Sequence, residues 1–69
     1  MLKDWVKVYS SQYSYKVEII KALLEENEIE SVIMNKKDSS YLFGDIELYV
    51  QNTEVIKAKQ IIEGGSFKL

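Results

Sequence analysis

The chain has 69 residues, nine basic side chains against eleven acidic ones, 46% apolar residues, and no Cys, His or Pro. All nine basic residues are lysines, so Arg is missing too. Without Cys there is no disulfide or thiolate metal site, without His the commonest general base and metal ligand are gone, and without Arg the planar fork that grips phosphate or guanine is lost.

What remains for proton chemistry is carboxylate, lysine and tyrosine, and no spacing pairs a nucleophile such as Ser10 or Ser11 with a base such as Asp45 or Glu47. The expectation is therefore a non-enzymatic protein with no cofactor and no metal. A chain this short makes one domain, residues 1–69, because at this size only about 60% of the unfolded surface is buried. With no staple to hold it, it relies on packing or on a partner, including a second copy. The net charge of −2 and pI near 5.0 give no long-range pull toward nucleic acid or anionic lipid. The opening Met1-Leu2-Lys3-Asp4-Trp5 has no apolar signal core, and no stretch approaches the ~18 apolar residues of a membrane span, so a cytoplasmic location is expected.

In chain order, Trp5 to Ser10 is rich in β-branched and aromatic residues and predicts strand one. From Tyr13 to Asn27 the period changes. Tyr13, Val17, Ile20 and Leu24 fall on one helical face, widened by Ile19 and Leu23, with Ser11 or Ser14 as candidate N-caps and Asn27 as a left-handed terminator. Glu25, Glu26, Glu28 and Glu30 crowd the end of that helix, where the macrodipole favours cations. They lack the alternating ligands and Gly turn of a calcium loop, so a solvated acidic end is expected. Ile29 to Asn35 predicts strand two, with Val32 and Met34 on one side and Ile33 on the other. A long connection, residues 35–44, follows. Asp45 to Val50 alternates cleanly and predicts strand three, with Ile46, Leu48 and Val50 buried. Gln51-Asn52-Thr53 opens a second helix, in which Val55, Ala58 and Ile62 share a face; Gly64-Gly65 ends it, and Ser66-Phe67-Lys68-Leu69 can add a short strand. The order βαββα(β) predicts an α+β, ferredoxin-like fold with two helices on one face of an antiparallel sheet.

Val8-Tyr9, the run from Glu18 to Glu25, Ile29, and Ile46-Glu47-Leu48-Tyr49-Val50 followed by Ala58 and Ile62 resemble a small bacterial family described as signal-transducing proteins. The resemblance covers about residues 5 to 63. It implies a ferredoxin-like βαββαβ fold similar to that of the nitrogen-regulatory PII proteins, and a regulatory role. Members commonly carry Gly before the Ile of strand two, where this chain has Glu28, and Pro after the Val ending strand three, where it has Gln51. Gly makes a left-handed turn cheap and Pro fixes φ, so both departures touch chain geometry. No catalytic motif comes with the resemblance, and the nucleotide site of PII proteins does not transfer with the fold.

Two candidate sites follow. If strand one turns Val6 and Val8 toward the helices, alternation sends Trp5, Lys7 and Tyr9 to the open face, with Glu47 and Tyr49 of strand three and Ile33 of strand two. Trp5, Tyr9, Ile33 and Tyr49 then make an aromatic surface for a homodimer or another protein partner. The plainer reading is that these residues merely suit strands. The second site is the long connection, where Lys36, Lys37, Tyr41 and Phe43 would meet a small anion, a nucleotide or a partner; a solvated loop is the plainer reading there. Aromatics on strands one and three also suggest single-stranded RNA binding, but Asp45 and Glu47 would repel phosphates and no Arg offsets them. The leading expectation is a regulatory interaction module, with the small-molecule sensor as alternative and RNA binding third.

Overall fold

The computed structural model describes residues 4–35 and 45–64. Their order is β1 (Trp5–Ser11), α1 (Ser14–Glu26), β2 (Ser31–Asn35), β3 (Ile46–Gln51), a 3-10 turn (Asn52–Glu54) and α2 (Val55–Gly64). The three strands form one antiparallel sheet in the order β1-β3-β2. β1 and β2, consecutive in sequence around α1, are thus split by β3, an α+β arrangement compatible with the ferredoxin-like fold. The expected strand at Ser66-Phe67-Lys68-Leu69 lies outside the described residues.

The helical stripe of α1 is where its period puts it. Val17, Ile20 and Leu24 are each 0% exposed. Tyr13, expected to begin that stripe, is instead the N-cap, with φ −108 and ψ 117, and is exposed. Neither expected serine caps the helix. Ser11 Oγ accepts the backbone N–H of Tyr13 at 3.1 Å, Ser14 is already helical, and Tyr13 offers no side-chain cap bond.

The helix ends in a Schellman turn. The N–H of Glu28 bonds the carbonyl of Glu25 at 3.0 Å and that of Ile29 bonds the carbonyl of Leu24 at 2.9 Å, the two bonds that define the motif. Its left-handed residue is Glu28, at φ 63. Asn27, expected in that role, has φ −99 and instead donates its side-chain amide to the carbonyl of Leu23 at 2.9 Å. Ile29 is thus used to close the helix and fill the core, so β2 begins only at Ser31.

On β3, Ile46, Leu48 and Val50 are buried, while the residues between them are half-buried. They meet α1 together with Ala58 of α2 in one cluster, and Val55, Ile61 and Ile62 of α2 pack against it. Both helices therefore lie on one face of the sheet. Each fully buried aliphatic side chain here contributes about 1.5 to 3 kcal/mol relative to exposure. Gln51 has φ −61, within the range proline would impose.

A candidate interaction site on the open sheet face

Pairing register decides which side chains share the open face. Trp5 pairs with Gln51, Lys7 with Tyr49, and Ser10 with Glu47; Tyr49 pairs in turn with Val32, and Glu47 with Met34. Opposed residues of an antiparallel pair point to the same side. Two complete rows therefore cross the sheet on the side away from the helices, Lys7-Tyr49-Val32 and Ser10-Glu47-Met34, with Trp5 beyond the first. No described helix packs over them.

Two of the four residues expected on this face are on the other. Between Lys7 and Tyr9 the register shifts, leaving Val8 as a bulge residue, so Tyr9 pairs with Leu48 and packs against the core. One extra residue reverses the face of everything after it. Ile33 also pairs with Leu48 and packs against the core. Alternation correctly separated Ile33 from Val32 and Met34 but did not fix which set faces the helices. Trp5 and Tyr49 do share the open face, and Val32 and Met34 join them.

The centre of the face is a polar network. The Tyr49 hydroxyl donates to Glu47 Oε1 at 2.7 Å, and Lys7 Nζ lies 3.5 Å from Glu47 Oε2. The Glu47 side chain is 14% exposed, against 50% for Lys7, so the carboxylate is screened by its neighbours. Its hydrogen bond to the neutral phenol, partial burial and its own negative charge, in that order, raise the Tyr49 pKa above the ordinary 10.0. Apolar flanks border the network, with Trp5, Tyr49 and Val32 half-buried and Met34 exposed.

Lys36, Lys37, Tyr41 and Phe43 lie outside the described residues. Glu25, Glu28 and Glu30 border, with Ile29, a shallow hollow of about 320 Å³ at the end of α1. Among the described residues no group of three carboxylates is placed to share a metal ion. Lys21 and Glu25 form an ion pair one helical turn apart.

The family described as "putative prokaryotic signal transducing protein" matches residues 5–65, which takes in every described strand and helix. The chain belongs to that family. Comparison with curated proteins and with solved structures gives no match. For this signal-transducing family member, no described helix is long and apolar enough to cross a membrane. The matched span includes both departures noted in the sequence, Glu28 and Gln51.

Proposed function

We propose that the protein is a non-catalytic, cytoplasmic interaction module that presents its open sheet face to a protein partner. The observation that carries this reading is the composition of that face. Lys7 neutralises the one carboxylate among the paired residues there, Tyr49 holds it by a hydrogen bond, and Trp5, Val32 and Met34 supply apolar and aromatic area around them. Interfaces are enriched in aromatic and Met side chains, which Trp5, Tyr49 and Met34 supply, while the Lys7–Glu47 pair leaves no net charge among the paired residues to be desolvated. The family's description supports a signalling setting.

Base stacking is disfavoured on the same face, because its one paired cation, Lys7, is already matched by Glu47 and the chain has no Arg, which leaves no net positive charge for a phosphate backbone.

A benzophenone amino acid in place of Met34, on the face, and of Ile56, on exposed α2, tests the reading by photocrosslinking in bacterial cells. Crosslinked protein from position 34 and none from 56 is expected. No product from 34, or equal products from both, overturns it, provided both variants keep the far-UV circular dichroism of the wild type.

A further inference from the structure

We propose that the occupant of the open face is a second copy of this chain, docked face to face about a two-fold axis that runs across the strands between its two rows. This rests on the interaction reading and names its partner.

An isologous interface requires a self-complementary surface, and the open face is one. Consider an axis lying in the interface, perpendicular to the strands, midway between Lys7-Tyr49-Val32 and Ser10-Glu47-Met34. Rotation about it lays the first row of one copy over the second row of the other. β3 then crosses β3, placing each Tyr49 against the partner copy's Glu47. β2 meets β2, placing Val32 against Met34. β1 meets β1, placing the exposed ammonium of Lys7 against the hydroxyl of Ser10. Each polar group meets a polar group, each apolar one an apolar one, and each contact occurs twice. The rows are about 6.7 Å apart along the strands, so the axis needs no shift of register. Rotation about an axis along β3 is poorer, since it lays Lys7 of β1 over the apolar Val32 of β2.

Charge makes the same choice of surface. Each copy carries a net charge of −2, so two copies repel unless they meet where charge cancels. On the two paired rows Lys7 and Glu47 cancel, whereas α1 ends in Glu25 and Glu26, followed by Glu28 and Glu30. Size permits the contact. The protein measures 34 × 30 × 15 Å, and a thickness of 15 Å fits one helix layer on one sheet layer. The two rows lie on a broad side of this slab, and with strands about 4.8 Å apart the three-stranded face is a compact patch suited to an interface at the small end of the range.

The geometry dictates a charge-complementation experiment. Sedimentation velocity across a concentration series is run on wild type, Val32→Lys, Met34→Glu and an equimolar mixture of the two variants. Wild type is expected to dimerise. Each single variant should dissociate at least about tenfold more readily, because it buries an unpaired charge. The mixture should recover dimers, because the axis sets the introduced amine of one copy against the introduced carboxylate of the other. A wild type that stays monomeric, or a mixture that dissociates like its components, overturns the second copy as occupant. Crosslinking of position 34 to a different protein with a monomeric wild type would do so while leaving the interaction reading intact. Absence of any crosslink from position 34 removes both.

Discussion

The backbone N–H of Ile29 bonds the carbonyl of Leu24 at 2.9 Å, and the two side chains meet the core together, 1% and 0% exposed. This contact between Leu24 and Ile29 is the hydrophobic half of the Schellman turn, and it forces Glu28 into the left-handed region at φ 63. A residue with a Cβ is strained there, and a carboxylate also opposes the helix dipole. Glu28→Gly is therefore expected to raise stability by about 0.5 to 1 kcal/mol, after allowing for the greater chain entropy of glycine in the unfolded state. The urea midpoint at unchanged slope measures it. Glu28→Gln separates the causes, since it removes the charge and keeps the strain. If the Gln variant gains as much as the Gly variant, backbone strain contributes nothing.

Glu28 also shows where sequence reasoning runs out. Helical and strand periods were legible because burial repeats with the backbone: Val17, Ile20 and Leu24 on α1, and Ile46, Leu48 and Val50 on β3, are in the core as their spacing requires. Local propensity then favoured Asn27 for the left-handed position, but closure was decided by which residue could put its successor into the core, and that successor is Ile29. The face assignments of Tyr9 and Ile33 failed for a related reason. Alternation is a relative rule, and its phase on β1 is reset by the bulge at Val8, which no residue of the Val6-Lys7-Val8-Tyr9 run announces. On β2 alternation leaves the phase open as well: Ser31 is 6% exposed and on the core side, across from Val50. Only pairing with β3 resolves the phase.

That serine gives the second prediction. Among the described residues its buried hydroxyl has no hydrogen-bond partner, and a polar group buried unpaired costs about 1 to 3 kcal/mol. Ser31→Ala removes the hydroxyl without adding volume beside Val50, so stability is expected to rise by about 1 kcal/mol in equilibrium urea unfolding. A loss of similar size would mean that the hydroxyl is satisfied in solution.

Tyr49 gives the third, a dependence on alkaline pH. Its hydroxyl donates to Glu47 at 2.7 Å, so ionisation breaks that bond and sets a phenolate beside a carboxylate, which together with partial burial raises the folded-state pKa above 10.0. Because the folded state holds this proton more tightly than the unfolded state, its contribution to stability is fully present below pH 10 and is lost as pH rises from there through the folded value. The stability difference between wild type and Tyr49→Phe should therefore be flat through neutral pH and move against wild type only above pH 10. Glu47→Gln keeps an acceptor but removes the negative charge, and should return the Tyr49 titration, followed through its ring carbon resonances by NMR, toward the ordinary value. A Tyr49 titration identical in wild type and Glu47→Gln would show that the pair at the centre of the open face is not formed in solution.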